Sequence, residues 1–290
     1  MEVKTIFVVG AGQMGSGIAQ VAAQAGFQVL LSDVSEKIIA AGRENIAKQL
    51  ERAQEKGKLQ ETVGAVLERI RPALDLSAGA SADAVIEAVV EKEQIKKDTF
   101  KKLDGICPPH TIFASNTSSI SITKIASATQ RPEKVVGMHF FNPAPVMRLV
   151  EIVKGYLTSQ ETVETIRQLA QAMGKETILA KDYPGFLSTR IGMPVINEGV
   201  YALYQGLGSV EDIDKANRLG LNHPMGPLEL ADLVGIDTIV NVLEILYEGH
   251  GDPKYFPCPL LRQMVVAGHL GRKTGRGFYD YSGKEKKPAL

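Results

Sequence analysis

The sequence predicts an α/β protein: a doubly wound, mainly parallel sheet with a second, smaller all-helical domain behind it. Three observations predict this. Short apolar runs alternate with helical patterns from Ile6 to Ala180, the rhythm of parallel strands joined by crossover helices. A glycine-rich turn, Gly10-Ala-Gly-Gln-Met-Gly15, separates the first run from the first helical pattern. Beyond Pro184-Gly185 the pattern is helical to the end. The domains are therefore read as residues 1–184 and 185–290, two being the ordinary number for 290 residues.

Composition excludes several classes. Apolar residues make up 44% of the chain, ample for a core, and 33 basic residues balance 33 acidic ones. Net charge is zero, so no basic excess points to nucleic acid. No apolar run approaches the length of a membrane span, and a strand begins too early for a signal peptide to precede it. Cys107 and Cys258 are far apart, lie next to prolines and lack metal spacing. Free thiols in a reducing compartment, the cytoplasm, are expected.

Taken in order, Ile6 to Val9 form a strand that runs into Gly10, Gly12 and Gly15. Helical spacing follows at Ile18, Ala19, Ala22 and Ala23, and Val29 to Leu31 make a second strand ending at Asp33. A lone glycine motif is weak evidence. Here it follows a strand, opens a helix and has an acidic strand end roughly 20 residues on, which is the dinucleotide fingerprint of a Rossmann-type domain. Gly10 allows the tight turn, Gly12 close approach of a pyrophosphate, and Gly15 tight helix–strand packing. The helix N-terminus offers oriented N–H donors. Asp33 would accept from both ribose hydroxyls and repel a 2′-phosphate, which favours NAD over NADP.

Residues 35–70 form a charged helical excursion, interrupted near Gly57, far longer than a crossover requires. Its Arg43, Lys48, Arg52, Lys56 and Lys58 suit either a solvated face or a phosphate-rich ligand. Ala84 to Val90 then reads as a strand ending at Glu91, and a Lys-rich helix covers Gln94 to Leu103. Thr111 to Ala114 is a strand opening into Ser115-Asn116-Thr117-Ser118-Ser119, where Ser118 could also serve as a cap for a helix over 120–126.

Val135 to Phe141 is strand-like, and a second extended run covers Met147 to Val153. The turn between them holds Pro143 and Pro145, which fix φ and remove donors. If the chain folds back there, His139 and Glu151, equally spaced about Pro145, can meet. Glu151 shares a face with Leu149 and Val153 and is expected to be half-buried, where a carboxylate needs a donor. A His that supplies one becomes a general base held in one tautomer. A His between Met and Phe is ordinarily a satisfied core residue. The deciding point is placement: Gly10, Asp33, Glu91, Asn116, Ser118 and His139 all fall at strand ends, where open parallel sheets bind ligands. The other four histidines adjoin Pro or Gly, and His223 alone is a rival.

A strand over Glu176 to Ala180 follows a helix from Glu161 to Met173. The helical domain reads as helices over 186–205, 210–219, 227–234, 238–247 and 259–267. The first is apolar on most faces, so it is expected to be buried in its domain or against a second subunit. Lys273 sits in a Gly-rich tail, residues 271–277, that could reach back to the cofactor.

These segments together resemble one family. Gly10-Ala-Gly-Gln-Met-Gly15, Glu87-Ala-Val-Val-Glu91, Ser115-Asn-Thr-Ser-Ser119, His139-Phe-Phe-Asn-Pro143, Leu149-Val-Glu151, Asp182-Tyr-Pro-Gly-Phe186, Pro224-Met-Gly-Pro227 and Lys273-Thr-Gly-Arg-Gly-Phe-Tyr279 occur in order across essentially the whole chain. The sequence is similar to the 3-hydroxyacyl-CoA dehydrogenases, most of all the short bacterial enzymes acting on 3-hydroxybutyryl-CoA. The resemblance implies an NAD-binding domain, a helical domain that forms a homodimer, and an acyl-CoA substrate in the cleft between the domains. It implies His139 as general base, Glu151 as its orienting partner, and Ser118 and Asn142 around substrate and nicotinamide. It maps Gln13, Met14, Glu91, Lys96, Asn116 and Lys273 onto cofactor positions and Lys56 onto a CoA-phosphate contact. One position departs: Thr189 stands where the family commonly has Asn, so one hydroxyl replaces two donors and an acceptor. Two other readings remain at this stage, a dehydrogenase of sugar or hydroxy acids without CoA and a non-catalytic NAD-binding regulator.

Overall fold

The computed structural model describes residues 3–283 and 285–290. The chain divides into two compact units, one ending at Tyr183 and the other spanning Pro184–Leu290.

In the first unit the strands are β1 (Thr5–Val9), β2 (Gln28–Ser32), β3 (Ile70–Ala73), β4 (Ala84–Glu87), β5 (Ile112–Ser115), β6 (Val135–Phe140), β7 (Leu149–Lys154) and β8 (Glu176–Lys181). The helices are α1 (Gln13–Gln24), α2 (Glu36–Glu55), α3 (Val63–Glu68), α4 (Glu93–Asp104), α5 (Ile122–Ala126) and α6 (Gln160–Ala172). Among the described residues these strands form one eight-stranded sheet in the order β3-β2-β1-β4-β5-β6-β7-β8. All neighbours pair parallel except β6 and β7, which are antiparallel. The order reverses direction at β1, so the carboxyl ends of β1 and β4 flank the crevice where doubly wound sheets take ligands. The core is aliphatic, with Ile6, Val8, Ile18, Leu31, Ile86, Val136 and Ile152 buried.

Several elements differ from expectation, each for a local reason. The 35–70 excursion ends in a strand, β3, that carries Pro72. Pro cannot donate to a ladder, but β3 is the sheet's outer strand and one side needs no donors. β4 stops at Glu87 rather than Glu91, because the Glu87 carboxylate accepts the Val89 N–H at 2.8 Å and turns the chain away. Ser121, not Ser118, caps α5: its hydroxyl accepts from the Lys124 N–H. β7 is paired on both sides, by β6 and β8, so Glu151 is fully buried (0% exposed) rather than half-buried.

The second unit contains α7 (Ser188–Tyr204), α8 (Val210–Lys215), α9 (Pro227–Val234), α10 (Ile236–His250) and α11 (Pro259–Val266). A π-helical turn, Ala216–Gly220, follows α8, and a two-stranded ribbon of β9 (Tyr279–Asp280) and β10 (Lys287–Pro288) is its only sheet among the described residues. Its core gathers Ile196, Val200, Leu228, Ile239, Leu243, Leu261 and Phe278. Buried Asp232 accepts the Phe278 and Tyr279 N–H groups at 2.9 Å each, anchoring the tail to α9. Within its unit α7 buries Ile196, Asn197, Gly199 and Val200, while Leu187, just before it, and Ile191 and Val195 stay exposed.

Both cysteines are buried, unpaired thiols. Burial pushes the Cys107 thiol up to about 11, an effect that Asp104 adds to and Arg131 opposes, and burial raises Cys258 as well. No helix among the described residues is long and apolar enough to cross a membrane.

Candidate active site

The glycine turn is built by close contact. Gly10 has φ +109°, a left-handed conformation that disfavours a side chain. A Cβ there would lie 2.5 Å from the Ala88 carbonyl oxygen, and one at Gly15 would lie 1.7 Å from the Gly10 oxygen. A Cβ at Gly12 would meet nothing within 4 Å. The first and third glycines therefore hold the turn against the sheet, while the space over the second is open, as a phosphate needs. Gly12 caps α1 without a side chain, leaving the first N–H groups of a twelve-residue helix available to an anion. Asp33 is held beside this turn: one carboxylate oxygen accepts the Ala11 N–H and the other the Val34 N–H, both at 2.7 Å. Met14 is partly buried against the core. These features fit a dinucleotide with a ribose next to a carboxylate.

At the ends of β4 and β5 a charged network joins two loops. Lys96 and Glu87 are both 0% exposed, with Nζ 2.7 Å from Glu87 Oε1. The other Glu87 oxygen accepts from the Ser115 hydroxyl at 2.7 Å. Lys96 also lies 3.3 Å from Glu91. Glu91 in turn accepts from the Thr117 hydroxyl at 2.5 Å, the Ser118 N–H at 3.0 Å, and the Ser119 N–H and hydroxyl at 3.2 and 3.1 Å. Burial opposes ionisation of Glu91, but the Lys96 charge and these donors outweigh it and hold its carboxyl below the ordinary value.

At the ends of β6 and β7 the antiparallel register sets His139 opposite Glu151. His139 is 5% exposed, and its Nδ1 lies 3.1 Å from Glu151 Oε2. With Glu151 ionised, the Nδ1 proton faces the carboxylate and the lone pair sits on Nε2. The Asn116 side-chain carbonyl accepts the Phe140 N–H at 2.8 Å, tying the β5 loop to the residue after the imidazole. Asn142, exposed on the following turn, accepts from the Gln13 amide at 3.0 Å, linking that turn to α1.

Thus Gln13 meets Asn142, Glu91 meets both Lys96 and Ser118, and His139 meets Glu151. Three expected residues lie elsewhere in the chain. Lys56 is exposed at the C-terminal end of α2, Thr189 is half-buried in the first turn of α7, and the Lys273 ammonium is engaged by Asp237. Glu87, Ser115, Thr117 and Ser119 join this network without having been expected from the sequence. The signal available was a second acidic residue four positions before Glu91, with Lys96 following both.

Two family descriptions match: "3-hydroxyacyl-CoA dehydrogenase, NAD binding domain" over residues 5–183 and "3-hydroxyacyl-CoA dehydrogenase, C-terminal domain" over 185–281. The chain belongs to the 3-hydroxyacyl-CoA dehydrogenase family. It is 54% identical over 285 residues to a probable 3-hydroxybutyryl-CoA dehydrogenase of Bacillus subtilis, covering 98% of this chain and 99% of that one. It is 48% identical to the 3-hydroxybutyryl-CoA dehydrogenase of Bradyrhizobium diazoefficiens, covering 99% and 98%. The crystal structure of an (S)-3-hydroxybutyryl-CoA dehydrogenase from Ralstonia eutropha superimposes with a TM-score of 0.93 at 46% identity, covering 97% and 100%. The protein is an NAD-dependent dehydrogenase, and the glycine turn and Asp33 fit that cofactor.

Proposed function

We propose that this dehydrogenase interconverts (S)-3-hydroxyacyl-CoA and 3-ketoacyl-CoA with NAD(H), acting on short chains such as 3-hydroxybutyryl-CoA and acetoacetyl-CoA. The observation that carries this reading is the buried His139–Glu151 pair on strands whose connecting turn hydrogen-bonds Gln13 at the start of the nucleotide helix. The turn of Gly10, Gly12 and Gly15 with Asp33 would hold NAD, which would supply the acceptor for the C3 hydride and, in reduced form, its donor. His139 Nε2 takes the C3 hydroxyl proton as the alcohol is oxidised, and Glu151 stabilises the imidazolium that forms. In the reverse direction that imidazolium donates to the keto oxygen. Ser118 and Asn142 orient the reacting group and the nicotinamide. Lys96 serves the cofactor indirectly, because its ammonium is occupied by Glu87 and Glu91. Lys56 meets a CoA phosphate and Lys273 stands near the cofactor, both on the strength of the family resemblance. Binding of the CoA moiety, remote from the chemistry, is used to orient a small acyl group.

The working form is read as a cytoplasmic homodimer, supported by the exposed Leu187, Ile191 and Val195, spaced one helical turn apart. NADH oxidation assayed with acetoacetyl-CoA and with free acetoacetate tests the activity: a preference for the free acid would overturn the CoA reading. Asp33 carries the coenzyme choice. Asp33→Ala is expected to narrow the preference for NADH over NADPH, and a parent protein that uses NADPH better would contradict the role given to Asp33.

A further inference from the structure

Lys175 is a buried cation for which the proposed chemistry has no use. It follows α6 and Gly174, whose φ of +71° reverses the chain into β8. The residue is 8% exposed, and among the described residues no carboxylate lies within ion-pair reach of its ammonium. Its two acceptors are main-chain carbonyls, Ala144 at 2.6 Å and Met147 at 2.9 Å. Burial lowers the affinity of this amine for its proton. A cation placed at such cost has a local reason, and the turn supplies one.

Residues 142–148 join the His139 strand to the Glu151 strand. Pro143 and Pro145 remove two main-chain donors from it. The Val146 and Met147 N–H groups both return to the Pro143 oxygen at 3.0 Å. The turn therefore cannot satisfy its own Ala144 carbonyl, and Ala144 is buried. Lys175 supplies that missing donor from outside. The same turn also rests on α1, since a Cβ at Gly17 would lie 3.2 Å from both the Ala144 Cβ and the Pro145 Cδ. The turn thus touches both α1 and the Lys175 ammonium, with Asn142 at its leading edge bonded to Gln13.

We infer that Lys175 is a positioning residue for the reaction, its ammonium fixing the Asn142–Met147 turn against the nucleotide helix so that Asn142 keeps its place beside Gln13. The inference rests on the functional reading above for the role of Asn142. The way the turn is held does not depend on that reading.

Two measurements on full-length protein test it. In the first, amide exchange at Val146 and Met147 is followed in the parent and in Lys175→Met, without substrate. Faster exchange at these amides, with the rest of the sheet unchanged, is expected. Unchanged protection overturns the inference whatever the enzyme's activity. In the second, kcat for NADH-dependent reduction of acetoacetyl-CoA is measured for Lys175→Met, Asn142→Ala and the double variant. A loss of between about ten- and a hundredfold is expected for Lys175→Met, the scale of a misplaced reacting geometry. The double variant is expected to be no slower than Asn142→Ala alone, because both changes act through one side chain. Parental kcat in Lys175→Met, or losses that multiply, overturn the inference. Should Lys175→Met not fold, Lys175→Gln is used in the same cycle, its arm being too short to serve both carbonyls, and the same outcomes decide. Faster exchange at the turn in Lys175→Met, together with a parent inactive on acetoacetyl-CoA, would leave the positioning intact and place the failure in the functional reading.

Discussion

Two carboxylates of the sheet unit, Glu91 in the loop after β4 and Glu151 on β7, are handled in opposite ways. Glu91 receives four hydrogen bonds from residues 117–119 and faces the Lys96 ammonium. Glu151 is sealed in the sheet with its carboxylate against the His139 imidazole. The first is held toward its ionised form and ties two loops together. The second has an imidazole as its partner, and in the proposed reaction that partner's charge would change. A carboxylate tied to fixed donors holds geometry; one tied to an imidazole can, in the function proposed above, support a proton transfer.

The largest expected effect separates the two regions. His139→Gln is expected to lower kcat by roughly 10²–10⁴, the usual worth of a positioned acid–base group, with NADH binding and fold retained. Glu151→Gln is expected to lower it less, since a neutral amide supports the imidazolium weakly. Steady-state kinetics with acetoacetyl-CoA check both, and a near-parental kcat in His139→Gln removes that residue from the mechanism. On the Glu91 side the expected loss is in stability. Glu87→Gln leaves Lys96 buried with Glu91 as its remaining carboxylate, and breaking such a pair costs about 3 kcal/mol. Urea unfolding measures this, and an unchanged midpoint would show that the network is not what ties the two loops.

Thr189 lies outside both regions. Thr189→Val keeps the shape and removes one hydroxyl, so kcat/KM is expected to fall roughly five- to thirtyfold if that hydroxyl donates to the substrate oxygen, a bond of about 1–2 kcal/mol. Equal kcat/KM in the variant would make Thr189 a packing residue. The smallest effect concerns acid. The Glu91 carboxyl sits below its ordinary value of 4.5. Its contribution to stability is therefore complete above that value and is lost as pH falls through the lower folded one. Unfolding midpoints of the parent should decline more steeply below about pH 4.5 than those of Glu91→Gln; parallel curves would mean that Glu91 contributes nothing there.

The sheet was legible where the sequence alternates cleanly between apolar runs and helical spacing. The His139–Glu151 pairing was legible because two prolines force a turn midway between those residues. β3 was hidden by Arg71 and Pro72, which only an outer strand tolerates. The end of β4 was misplaced because Ala88, Val89 and Val90 continue the apolar run, while the side chain that stops the strand, Glu87, acts through its own carboxylate. The burial of Glu151 was underestimated because single-strand periodicity carries no information about how many neighbours a strand has. Glu87 and Lys175 were missed for a related reason. Their partners lie on other elements, and such pairings exist only once the sheet order is known.

The two thiols offer a practical consequence. Reagents that modify cysteine attack through the thiolate, and burial disfavours that form at both Cys107 and Cys258. Neither should label appreciably while the native packing around it is intact. One sits in the sheet unit and the other in the helical unit. Labelling followed by peptide mapping would therefore record the opening of each unit separately in the unmutated protein, with no probe to introduce. It would also reveal whether cofactor binding slows the breathing of both units or of the first alone.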